Sequence, residues 1–152
     1  MEDVARTADI SRPGLYLLFG SKQELFTAAV THALDESLAA VAPILADPTR
    51  PVRDRLLDAF DQWTGRYIGA ISREATAIAD EYSDLLGPAV TEYPARFAGL
   101  LDAALTESPD TSSRSKAITQ TLISTSIGIK HQVSTRAAFL ERLAVAVDLI
   151  LG

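Results

Sequence analysis

His32, Asp35 and Glu36 stand at i, i+3 and i+4. On a helix that spacing puts an imidazole and two carboxylates on one face, where they could hold a divalent cation. On a long amphipathic helix the same trio is far more often a solvated polar face, and no metal is assigned to it. Little else in the chain could do chemistry. There are two histidines and no cysteine, which removes thiolate zinc sites, disulfides and a cysteine nucleophile. No glycine-rich phosphate loop or nucleophile-elbow pattern occurs. The serines and threonines between 106 and 126 have no His–Asp partner suggested by sequence. The chain reads as a non-enzyme with no cofactor.

Aromatic residues are the other group with chemical character. Phe60, Trp63 and Tyr67 lie at i, i+3 and i+7, and Tyr82, Tyr93 and Phe97 follow on neighbouring segments. Phe60 reads as plain core. Trp63 and the tyrosines combine a large ring with a polar handle, as groups lining a ligand pocket do.

Helices must position these residues. Ala and Leu dominate, and no strict alternation lasts for a strand's length. Gly and Pro punctuate between the helices, at Pro13, Gly20, Pro43, Pro48, Pro51, Gly87, Pro88 and Pro109. The fold class is therefore all-α. Two short helices are expected near 2–8 and 13–19, the second with Pro13 in its first turn and Gly20 closing it in a left-handed conformation. Ser21 and Glu24 have capping-box spacing and open a long helix that reaches about 42 before Pro43. Further helices are expected near 51–69, 73–86 (capped by Ser72), 94–106, 113–132 and 136–151, the last capped by Ser134 or Thr135. The favoured place for Pro94 is a first turn.

Two short helices joined by a tight turn make a helix-turn-helix shape. Particular residues sharpen it: Ile10-Ser11 at the turn, Leu15-Tyr16 inside the second helix, Phe19 at its end, then Ser21-Lys22 with Glu24-Leu25. This run closely resembles the DNA-binding head of the TetR family of transcriptional repressors. The resemblance implies that Ser11, Arg12, Gly14 and Tyr16 face DNA and that Lys22 contacts a phosphate. Arg12 could fork onto a guanine edge or a phosphate, Tyr16 could donate its hydroxyl, and Lys22 sits beside a positive helix terminus. Gly14 replaces the common Thr or Ser. Val4, Ala5, Ile10, Leu15, Leu18 and Phe19 are expected to form the head's own core. The family places a further helix before the segment matching 2–8, whereas this chain opens at Met1. The expectation is that the native start lies upstream, or that this is a truncated form that binds DNA poorly. Through residue 30 the three cations Arg6, Arg12 and Lys22 face the four carboxylates of Glu2, Asp3, Asp9 and Glu24.

By the same resemblance, residues 1–45 would be the head (helix-turn-helix about 1–19) with its connecting helix, and 46–152 a ligand-binding and dimerisation domain. Trp63, Tyr67, Tyr93 and Phe97 would touch an apolar or amphipathic effector. A homodimer would form through the last two helices, whose stripes are Ile118, Leu122, Thr125 and Ile129, then Leu140, Leu143, Val147 and Ile150. The expected function is a ligand-responsive repressor of operator DNA. The alternative is a truncated dimeric small-molecule-binding protein with little or no DNA binding.

Bulk properties fit. The 152 residues carry 14 Lys+Arg against 20 Asp+Glu, a formal charge of −6, and are 47% apolar. That supplies a core and excludes a wholly disordered chain. No apolar run approaches the ~18 residues of a membrane span, and the N-terminus is no signal peptide, which fits a cytoplasmic protein. Net acidity argues against nucleic-acid binding over the whole surface but leaves room for a small DNA-binding face.

Overall fold

The computed structural model describes residues 1–70, 81 and 83–152. Ser72, Tyr82 and most of the helix expected over 73–86 lie outside the described residues. Among the described residues there are seven α-helices and no strand.

The first, α1 (Glu2–Thr7), has Glu2 and Asp3 in its first turn and Arg6 in its last, which complements the helix macrodipole. It ends because Asp9 turns left-handed, at φ 54°. The Ile10 N–H then reaches the Ala5 carbonyl at 3.0 Å and the Asp9 N–H the Arg6 carbonyl at 3.3 Å. This is a Schellman closure at a position where glycine is usual and Asp is tolerated. Ser11 caps α2 (Arg12–Leu18), its Oγ accepting from the Gly14 N–H at 3.0 Å. A Cβ on Gly14 would lie 2.9 Å from that oxygen, so glycine lets the cap close. Phe19 ends the helix in extended backbone. Gly20 is not left-handed as the sequence suggests. Its contribution is space, since its N–H donates to Glu24 Oε2 at 2.6 Å and a Cβ would crowd that carboxylate. Ser21 Oγ accepts from the Glu24 N–H at 3.1 Å, so the capping box forms with its return limb shifted back one residue.

The 25-residue α3 (Lys22–Ala46) spans about 37 Å. It continues through Pro43 instead of stopping there. Leu38, Val41 and Leu45 form its buried stripe, and Pro43 and Ala39 face solvent, so water can take the carbonyl that the ring displaces. The buried Arg55 donates from Nη1 to the Leu45 carbonyl at 2.7 Å, a cation closing the negative end of α3. Next, α4 (Val52–Trp63) ends earlier than expected. Thr64 leaves helical geometry, and a 3-10 turn, Gly65–Tyr67, follows with Gly65 buried against Phe139. A short turn at Ser83–Leu86 precedes α5 (Ala89–Glu107), which starts five residues ahead of Pro94. The continuous stripe Tyr93, Phe97, Leu101 and Leu105 holds that helix past its proline. Finally come α6 (Ser115–Lys130) and α7 (Arg136–Leu151), the latter capped by Thr135 Oγ on the Ala138 N–H at 3.2 Å.

One core joins α3 to α7. Phe60, Phe97, Phe139, Leu56, Leu101, Leu122 and Leu143 are all completely or almost completely buried in it. The last two helices correct an expectation here. Ile118, Leu122, Ile129, Leu143 and Val147 are buried in the chain's own core, Leu140 and Ile150 pack against it, and Thr125 is half-buried. Those stripes therefore face inward. Both sides of α7 are apolar, and spacing alone cannot say which side packs. Its outward side carries Val145 and Leu149, 57% and 79% exposed, and Ile127 of α6 is 53% exposed.

Two ion pairs fix α4 antiparallel to α7. Arg136 Nε donates to Asp61 Oδ1 at 2.7 Å at one end, and Arg53 Nη2 to Asp148 Oδ2 at 2.9 Å at the other. Hydrogen bonding to Arg53 holds the Asp148 carboxyl below its ordinary value of 3.8. Folding thus favours the charged form. The pair's contribution is whole above that ordinary value and is lost as pH falls through the lowered one. Asp148→Asn should melt below wild type at neutral pH, with the gap closing in acid. A gap that stays constant from neutral pH to strong acid would contradict the assignment.

By length and composition α3 could cross a membrane, with a mean hydropathy of 1.2 over its most apolar window. Its stripe is instead spent on the bundle core, and Lys22, Glu24, Asp35 and Glu36 interrupt its outer faces.

Candidate functional site

The short helices α1 and α2 pack chiefly on each other, and only Ala5 and Leu15 are buried there. This corrects part of the expected head core: Val4, Ile10 and Leu18 are 39%, 37% and 70% exposed. Helices of six and seven residues offer each other little surface, and short helices of this kind depend on packing.

Of the five residues expected at DNA, Ser11 caps α2, Arg12, Gly14 and Tyr16 lie within it, and Lys22 opens α3. Ser11 uses an oxygen lone pair in its cap, which leaves its hydroxyl proton able to donate outward. Arg12 and Tyr16 pair one turn apart, the guanidinium 5.9 Å from the ring centroid. Arg12 also lies 3.9 Å from the Glu2 carboxylate, with both side chains exposed to solvent. Tyr16 is 43% exposed. Lys22 is exposed at the first position of α3, where its charge adds to unpaired backbone N–H groups. Gly14 supplies no side chain and serves the Ser11 cap. The arrangement offers a polyanion two cations, two hydroxyls and a helix terminus within a few turns. Leu17, absent from the expected set, is the most exposed large apolar residue among those described, at 88%. The signal for it was available: helical geometry places it opposite the apolar Leu15.

The four expected effector residues also converge. Trp63 stacks on Phe97 with centroids 4.7 Å apart and planes 10° apart, and Phe60 meets Phe97 edge-on at 5.2 Å. Tyr93 lies one turn before Phe97 on α5 and donates its hydroxyl to Asp35 Oδ1 at 2.7 Å. That bond, then burial and the charge of Asp35, push the Tyr93 phenol above its ordinary 10.0, so it stays protonated and donating. Tyr67 donates to the Ala33 carbonyl at 3.3 Å and lies 2.7 Å from the buried Ser37 Oγ. Both tyrosines therefore grip the middle of α3. The trio His32, Asp35, Glu36 is divided, with Asp35 turned to Tyr93 and His32 lying 3.6 Å from Glu36 in solvent. Beside the aromatic layer, Asp35, Leu38, Ala42, Arg96, Gly99 and Leu100 line an open cleft of about 460 Å³ between α3 and α5.

Residues 1–29 match the family model described as "Bacterial regulatory proteins, tetR family". Comparison with curated proteins and with solved structures returns no match. The match covers α1, α2 and the opening of α3, the segment that bears Ser11, Arg12, Tyr16 and Lys22. Residues 1–29 are thus similar to the DNA-binding head of TetR-family regulators, and here that head is set on an all-helical body.

Proposed function

We propose that the chain is a ligand-responsive repressor that binds operator DNA as a homodimer and is released by a small apolar or amphipathic effector. The continuity of α3 carries this reading. The helix opens at Lys22 on the DNA face, and Tyr67 and Tyr93 hold its middle at Ala33, Ser37 and Asp35. An effector entering among Trp63, Tyr67, Tyr93 and Phe97 must part the Trp63–Phe97 stack, and so can change the tilt of α3. It favours the released state only by binding that state more tightly. In the dimer, two copies of α2 enter successive major grooves ~34 Å apart. Such a regulator works in the cytoplasm beside its operator.

The outward sides of α6 and α7 support a dimer. Ile127, Val145 and Leu149 are exposed there, and no atom lies within 4 Å of where a Gly128 Cβ would stand, which leaves room for a close helix.

Selection of duplexes from a random pool, followed by anisotropy titrations at several salt concentrations, tests the reading. Arg12→Ala and Lys22→Ala should each weaken binding and lower the salt slope by about 1. Effectors should change Trp63 fluorescence and release the duplex. If no duplex is selected, the alternative of a dimeric small-molecule-binding protein stands, in keeping with the acidic excess of the head.

A further inference from the structure

We propose that α2 reads thymine through its C5 methyl group, with Leu17 as the contacting side chain. This rests on the reading that α2 enters a major groove. Leu15 is 2% exposed and fixes the inward direction of the helix. At about 100° per residue, Leu17 projects roughly 160° from Leu15, nearly straight out. Pro13 is its neighbour on that outermost ridge, while Arg12 and Tyr16 form one flank. Leu18, turned ~100° from Leu17, lies off the ridge.

The chemistry of the ridge limits what it can recognise. The helix Arg-Pro-Gly-Leu-Tyr-Leu-Leu holds no amide and no carboxylate. It therefore cannot make the paired bonds by which Asn or Gln reads adenine, nor accept from cytosine. Arg12 and Tyr16 are the hydrogen-bonding side chains of the helix, and they stand beside the ridge. What the centre presents to a base edge is hydrocarbon. The thymine methyl is the matching apolar feature of the major groove. An 88% exposed leucine at the centre of a DNA-facing helix gains this burial on binding.

The test uses the full chain and a duplex selected from a random pool by wild-type protein. Each thymine in turn is replaced by uracil, which keeps base pairing and removes only the methyl group. Wild type should lose about fourfold in affinity at one or two positions per half-site, the ratio for one buried methyl-sized group. Leu17→Ala should bind thymine and uracil duplexes equally, at the weakened level. Leu17 is exposed, so this variant keeps the fold. Tight wild-type binding that is indifferent to uracil at every position would overturn the proposal and leave the DNA-binding reading intact. Failure to select any duplex would overturn both.

Discussion

Phe97→Ala is expected to destabilise the protein by about 3–5 kcal/mol, the range for removing a fully buried phenyl ring. Phe97 is 1% exposed and takes Trp63 on its face and Phe60 on its edge. The variant therefore loses the transferred surface, two aromatic contacts and the support of a stacked indole together. No neighbour can collapse into the space easily, because Leu101 and Leu56 are already fully packed. A domain of this size should melt ~10 °C or more lower. The emission of Trp63 should shift to the red as its ring gains water. Chemical denaturation and Trp63 fluorescence check both effects in one titration. Wild-type stability in this variant would mean that the stack is a surface ornament and not the hub of α3, α4 and α5.

Glutamate at two positions of α7, Leu149 and Leu143, should give opposite outcomes. Leu149 is 79% exposed on the outward side of α7. Leu149→Glu should leave the monomer folded and weaken the dimer roughly a hundredfold, since each copy would bury one unpaired carboxylate. Val145→Glu should behave alike. Leu143 is completely buried, and Leu143→Glu should cost more than ~4 kcal/mol and unfold the chain. Light scattering at micromolar concentration and circular dichroism separate the two results. A folded wild-type monomer under those conditions would remove the dimer. A Leu143→Glu variant that is folded but monomeric would return the interface to the buried stripe.

Several features of this protein were settled by the sequence alone, and they are the ones decided within four or five residues. Ser21 with Glu24 fixes the start of α3 and Pro13 the first turn of α2, because a cap needs only its own backbone neighbours; for α7 the sequence offered Ser134 or Thr135, and the structure uses Thr135. The head was legible for the same reason: its matched run is short and continuous. Proline was read less well. Pro43 and Pro94 stop a helix in isolation, yet α3 and α5 run past them because packed stripes on either side outweigh the lost backbone bond. Asp9 in a left-handed closure was equally hidden, since Asp can adopt that conformation but nothing local demands it.

What joins the head to the body was decided by tertiary structure. Tyr67 meets Ser37 across 30 residues, and Tyr93 meets Asp35 across 58. No spacing rule reaches that far. The inward turn of Leu143 and Val147, against the outward turn of Val145 and Leu149, was settled in the same way. A helix with apolar residues on two sides has no preferred side until neighbours exclude water from one of them.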